Sequence, residues 1–353
     1  MRNAAIVKLE AMRLSVLDQS PVSAGSSPAD ALRNTIDLAR LTDKLGYERY
    51  WIAEHHAMET LASPAPEILI TRIAAETSRI RVGSGGVMLP HYSPMKVAEQ
   101  FRMLHALYPG RIDLGIGRAP GGSPIETFAL MRDRSRQPSD DFPQQLFELR
   151  AFLGDGFPPD HPFSQIKISP AMAGAPELWL LGSSMWSASA AAQLSLPYAF
   201  AHFIDQHPTR SAIEYYRSHF KPSARMPTPR AIVALGVICA ETRQEADRLL
   251  TSTRLLVRQI RLGRPGPVPT PEEALSLLDS TPDPTPPRPS EWPRYIVGDP
   301  DEVRNQLDYL SSELHLDELM AVTITHSHQA RRRSYELLAE VFNLEVHDPS
   351  PKH

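Results

Sequence analysis

Residues 80–116 read IRVGSGGVMLPHYSPMKVAEQFRMLHALYPGRIDLGI. Residues 80–89 have the apolar content of a buried strand, interrupted by Gly83, Gly85 and Gly86. Residues 95–107 carry apolar side chains at helical spacing, and residues 112–116 are a second apolar run. The stretch is one strand–helix–strand unit. Glycines inside a strand weaken it unless something else requires them.

The same alternation extends both ways. Upstream, residues 14–17 and 50–53 read as strands. Ser27, Pro28 and Asp30 supply an N-cap, a first-turn proline and a first-turn acid for a helix that Gly46 closes. Residues 66–77 read as a further helix. Downstream, strands are expected at 178–181, 198–203, 231–240 and 319–325. Helices are expected at 142–153, 187–193, 211–220, 245–262 and 330–342. Asp299, with Glu302 three residues on, opens one more. The count is eight strands, each followed by a helix, several of them continuous apolar runs suited to burial on both faces. This pattern predicts an α/β fold, a (β/α)₈ TIM barrel, in a single domain over residues 1–353. A doubly wound open sheet is the competing architecture. Residues 1–11 read as a leader. Residues 263–293 read as a proline-rich insertion between the seventh and eighth strands, with a short helix at 272–278, positioned to act as a lid or as an ordinary surface loop.

Composition narrows the function. The chain has 353 residues, 42% hydrophobic and 22% charged, the proportions of an ordinary globular protein. A net charge of −4 gives no reason to expect a nucleic-acid partner. The single cysteine, Cys239, excludes an internal disulfide framework and a cysteine-built zinc site. The first twelve residues include Arg2, Lys8 and Glu10 and no apolar run, so no signal peptide is expected. No stretch approaches the roughly 20 apolar residues of a membrane-spanning helix. A soluble, cytoplasmic protein is expected.

In a barrel of this kind, ligands bind where strands end. The polar residues there are Asp18 and Gln19; Glu54, His55 and His56; Ser84, Gly85, Gly86 and His91; Gly115, Gly117 and Arg118; Ser183, Ser184 and Ser187; His202; and His326 and His328. Neither histidine pair has the spacing of a zinc-protease helix, and loop hydrogen bonding competes with a metal role. Ser183, Ser184 and Ser187 stand where a strand turns into a helix. Free N–H groups and hydroxyls there suit a phosphate, with Arg118 as a charge partner, or the serines are simply caps. The glycines make neither a dinucleotide fingerprint nor a Walker motif.

At these residues the chain resembles the luciferase-like monooxygenases, the flavin-dependent family that includes bacterial luciferase, and most nearly its group 1 oxidoreductases. The likeness runs from LSVLDQSP (14–21) to RSYELLA (333–339). It passes through YWIAEHH (50–56), VGSGGVMLP (82–90), GRIDLGIGRAPG (110–121), WLLGSS (179–184) and IVGDP (296–300). The resemblance implies reduced FMN bound at the C-terminal face of the barrel, supplied by a separate NAD(P)H:flavin reductase. It implies reaction with O₂ to a C4a-peroxyflavin that oxygenates a small-molecule substrate. His55 falls on the catalytic histidine. Glu54, Ser84, Gly85, Gly86, Arg118, Ser183, Ser184 and Ser187 fall on the cofactor site, with Gly85–Gly86 as a non-prolyl cis bond beneath the ring. No metal is implied, and a homodimer is. A deazaflavin-dependent oxidoreductase and a non-catalytic flavin-binding protein are the alternatives. One departure is Ala57, where the subgroup usually has asparagine.

Overall fold

Short apolar runs bounded by polar caps become the strands of one parallel sheet in the computed structural model, which describes residues 12–119, 124–131, 141–280 and 289–346. Among these, the strands are β1 (Arg13–Asp18), β2 (Arg49–Ile52), β3 (Arg81–Met88), β4 (Ile112–Gly117), β5 (Glu177–Gly182), β6 (Tyr198–Ala201), β7 (Ala231–Cys239), β8 (Tyr295–Gly298) and β9 (Glu318–Val322). The first helices are α1 (Pro28–Lys44), α2 (Pro66–Glu76), α3 (Pro94–Leu107), α4 (Pro124–Leu130), α5 (Phe142–Arg150) and α6 (Met185–Gln193). They are followed by α7 (Thr209–Ser218), α8 (Arg243–Arg261), α9 (Pro271–Ser280), α10 (Pro300–Leu314) and α11 (His328–Phe342). The capping signals act as read: Ser27 with Asp30, and Asp299 with Glu302, form capping boxes at α1 and α10.

Strands β1 to β7 pair in sequence order. β9 then joins β7 to β1, through Leu235↔Ala321 and Leu14↔Leu319, and closes an eight-stranded TIM barrel. The strand β8 was not expected. It is four residues long and follows a proline-rich stretch, too short for its pattern to stand out. It joins β7 over Gly236–Cys239, beyond the point where β6 ends opposite Ala234. The expected leader (1–11) and part of the insertion (281–288) lie outside the described residues. In the rest of the insertion, α9 confirms the short helix, and Val268 exchanges backbone hydrogen bonds with Val22 and Ala24 beside β1.

Two apolar layers result. The larger lies between strands and helices. The smaller fills the barrel and includes Leu17, Trp51, Trp179, Ala199, Ala234 and Met320. Trp51 and Trp179 meet edge to face at 5.3 Å. Beneath them the buried Arg49 guanidinium binds Asp113 at 2.8 Å and Glu318 at 2.8 Å, and the Trp51 indole donates to Asp113 at 2.9 Å. The N-terminal end of the barrel is thereby plugged.

The glycine-rich strand carries the main irregularity. Ser84 pairs with Leu114, but the next partners are Val87 and Ile116, so β3 bulges at Gly85–Gly86. The Gly85–Gly86 bond is cis. A Cβ on Gly86 would lie 2.7 Å from the Gly115 carbonyl oxygen, and one on Gly85 would strike Leu17. Gly117, by contrast, has nothing within 4 Å of its Cβ position. Gly86→Ala is therefore expected to destabilise the fold by at least about 2 kcal/mol, since backbone must shift to admit the methyl. Gly117→Ala is expected to stay within about 0.5 kcal/mol. Urea unfolding of both variants tests the pair, and equal stabilities would remove the close approach as the reason for these glycines.

Candidate active site

Above the plugged floor lies a cavity of about 510 Å³ at the C-terminal ends of the strands. Its wall includes every residue expected at the cofactor site except Ser84. Ser84 is buried, and its hydroxyl donates to the Gly115 carbonyl at 2.8 Å. That bond ties β3 to β4 at the bulge.

Glu54, at the end of β2, lines the cavity but is already occupied. Its carboxylate accepts from the Met88 N–H at 3.0 Å and the Tyr92 hydroxyl at 2.7 Å, and it pairs with His56 Nε2 at 2.7 Å. That uses three of a carboxylate's roughly four acceptor positions. Glu54 braces the end of β2 against the far side of the β3 bulge while remaining part of the cavity wall. His56 meets it there, and is not on the cavity wall.

His55 is different. Its backbone N–H donates to Ser63 at 3.0 Å, while its side chain faces the cavity. Burial, reinforced by the nearby His56, pushes its pKa down to about 4, so the ring is neutral at physiological pH. Its Nδ1 is buried with no protein partner among the described residues. Such an atom calls for an explanation, and a bound ligand is one.

The other end of the cavity is polar. α6 begins at Met185, and its N-cap Ser184 is exposed and makes no side-chain cap bond. First-turn N–H groups therefore face the mouth of the cavity. The Arg118 guanidinium lies 4.6 Å from the centre of the Trp186 ring, beside that turn. Ser183 and Ser184 keep hydroxyls available there. Ser187 does not: it donates to the Ser184 carbonyl at 2.7 Å and shares a 3.0 Å hydrogen bond with Tyr198. Its hydroxyl is engaged within the first turn of α6.

Three other strand-end histidines are committed elsewhere. His202 bonds Thr209 and the Pro293 carbonyl, His326 the Ala24 carbonyl, and His328 Asp37. Trp186 was not expected to line the site; an aromatic following two serines at a strand–helix junction was the available signal. Ala57 has φ 51°, in the left-handed region that asparagine tolerates and alanine does not favour. A backbone reason for the usual asparagine is thus independent of any ligand contact.

The neutral state of His55 has a measurable consequence. The unfolded histidine binds a proton near pH 6.5 and the folded one only near pH 4. Its contribution is fully present above about pH 6.5 and is lost as pH falls towards 4. Between pH 7 and 5 the wild type is expected to lose about 1–2 kcal/mol more stability than His55→Gln. Parallel pH profiles would show that His55 titrates normally.

Comparison with known proteins agrees with this geometry. Residues 12–316 match the family described as luciferase-like monooxygenase. A luciferase-like monooxygenase of Escherichia coli (strain K12) is 41% identical over 93% of this chain and 96% of its own. An N-acetyl-S-alkylcysteine monooxygenase of Bacillus subtilis (strain 168) is 36% identical over 93% of this chain and 98% of its own. The crystal structure of apo-MsnO8 superimposes with a TM-score of 0.89 at 50% identity, covering 95% of this chain and all of that one. With the cavity, the bulge and the neutral histidine in place, the chain belongs to the luciferase-like monooxygenase family of flavin-dependent monooxygenases.

Proposed function

We propose that this protein is the oxygenating component of a two-component, FMN-dependent monooxygenase acting on a small organic substrate. The observation that carries the proposal is the arrangement of the cavity. A side-chain-free wall at Gly85–Gly86 and a neutral His55 whose Nδ1 has no protein partner among the described residues stand on one side, and Arg118 with the α6 N-terminus stands on another. A planar ring needs the first, and a terminal phosphate needs the second. The residues present fit FMN.

When bound, reduced FMN supplies two electrons for O₂, of which one oxygen atom enters the substrate and the other leaves as water. The chain's own groups set the conditions. Arg118, Ser183, Ser184 and the α6 N–H groups hold the phosphate. Gly85 and Gly86 let the ring approach the backbone. His55, neutral at working pH, exchanges a hydrogen bond or proton with the bound ring or substrate. The apolar floor of Leu17, Trp51 and Met320 keeps water from the reacting centre. The described start of the insertion, residues 263–280, which meets the β1 end through Val268, serves as a lid over the mouth.

Reduced FMN arrives from an NAD(P)H:flavin reductase that docks transiently. The protein works in the cytoplasm; among the described residues no helix is long and apolar enough to cross a membrane. It pairs with a second copy through α2 and α3, whose Ile68, Met103 and Leu107 are largely exposed. A deazaflavin-dependent oxidoreductase would instead purify with deazaflavin absorbance and consume no O₂. A flavin-storage protein would bind FMN and form no oxygenated product. Reconstitution with FMN, a reductase and NAD(P)H, followed by a product screen under ¹⁸O₂, separates the three.

Two substitutions probe the roles. Arg118→Ala is expected to weaken FMN binding by about 10- to 100-fold through loss of a charge-assisted contact, and riboflavin binding far less. Equal losses in equilibrium titrations would take Arg118 out of the phosphate site. His55→Ala is expected to leave FMN affinity nearly unchanged. In single turnovers with peroxide quantified, it is expected to divert reduced flavin to hydrogen peroxide at the expense of product, by about 10²-fold or more. His56→Ala is expected to act on stability through the lost Glu54 bond. Wild-type coupling in His55→Ala with lost coupling in His56→Ala would reverse the assignment.

A further inference from the structure

The closed strand order β1-β2-β3-β4-β5-β6-β7-β9 places β1 across the barrel from β5. If the phosphate end belongs to β4 and β5, and the ring wall to β2 and β3, the remaining arc runs from β6 to β1. Its cavity surface is apolar: Phe203, Ile204, Ala234, Met320 and Leu17. One polar side chain interrupts it, Gln19 at the top of β1. Leu17 and Gln19 line the cavity, while Asp18 between them turns outward to Arg331 at 2.7 Å, as strand alternation requires. Asp18 is thereby structural, and Gln19 is the residue that this anchored strand end presents inward. Among the described residues, no hydrogen bond of the protein occupies its amide.

We propose that Gln19 is the substrate-orienting residue of this site, and that the substrate is a neutral, largely apolar molecule with one hydrogen-bonding group that docks on the Gln19 amide. The proposal rests on the flavin reading above, because that reading assigns the rest of the cavity to the cofactor. The physical argument is one of cost. An anion placed in this arc would be desolvated against apolar side chains with only a neutral amide to compensate it. A carbonyl or hydroxyl needs one partner, and the amide offers both a donor and an acceptor. A site built around such a bond also discriminates against molecules that lack the group.

The test uses 2-heptanone and heptanoate, a neutral and an anionic probe of the same length, on the full chain at saturating FMN. Quenching of Trp51, which lines the cavity, reports binding, and FMN affinity is measured separately on every variant. Wild type is expected to bind 2-heptanone and to bind heptanoate at least tenfold more weakly. Gln19→Leu, close in size, is expected to bind 2-heptanone about five- to tenfold more weakly with FMN affinity unchanged. Gln19→Lys is expected to gain heptanoate binding, since it supplies the missing cation. Equal binding of the two probes by wild type, or 2-heptanone affinity within twofold of wild type in Gln19→Leu, overturns the proposal while the flavin reading stands. A wild-type chain that does not bind FMN overturns both.

Discussion

The site depends on how closely β3 passes β4 at Gly85–Gly86. Three residues of β3 span what two residues of β4 span, and no methyl group fits between the strands at Gly86. The bulge is held from both sides. Ser84 ties its near side to Gly115, and Glu54 ties its far side to the end of β2 through Met88. One irregularity in one strand therefore fixes two things: a bare backbone wall, and, through Met88 and Glu54, the end of β2 that carries His55.

The lower half of the barrel makes the upper half usable. Trp51 and Trp179 fill the interior, and the Arg49–Asp113–Glu318 network fills the end below them. Buried ion pairs of this kind are weak contributors to net stability. Here they satisfy one another and the Trp51 indole N–H, so the floor is both packed and hydrogen-bonded. The cavity above is left with an apolar base. The same apolar surroundings keep His55 uncharged and would protect a reactive centre from water.

Much of this was legible in the sequence. Continuous apolar runs separated by capped helical stretches gave the barrel because both faces of its strands are buried, and period and caps are local signals. Gly85 and Gly86 stood out because glycine in a strand interior has a cost that needs a reason. β8 escaped because four residues, Tyr295–Gly298, carry too little pattern beside so many prolines. The protein partners of Ser84, Glu54 and Ser187 were not legible, for one shared reason. A polar residue at a strand end looks the same in sequence whether it faces a ligand or a neighbouring backbone. Which it does depends on partners 3 to 38 residues away, such as Ser184, Gly115 and Tyr92. Gln19 was visible as a strand-end residue, but only the outward turn of Asp18 shows which way it points.

The central claim is that FMN lies against the β3 bulge with its phosphate at the β4–β5 end. The most direct measurement is a crystal structure of the FMN complex. The account expects the ring in contact with Gly85–Gly86, a ring nitrogen of His55 within hydrogen-bond distance of the flavin, and the phosphate held by Arg118 and the Ser183–Ser184 turn. A phosphate bound at the Gln19 side, or a ring stacked away from the bulge, would contradict it.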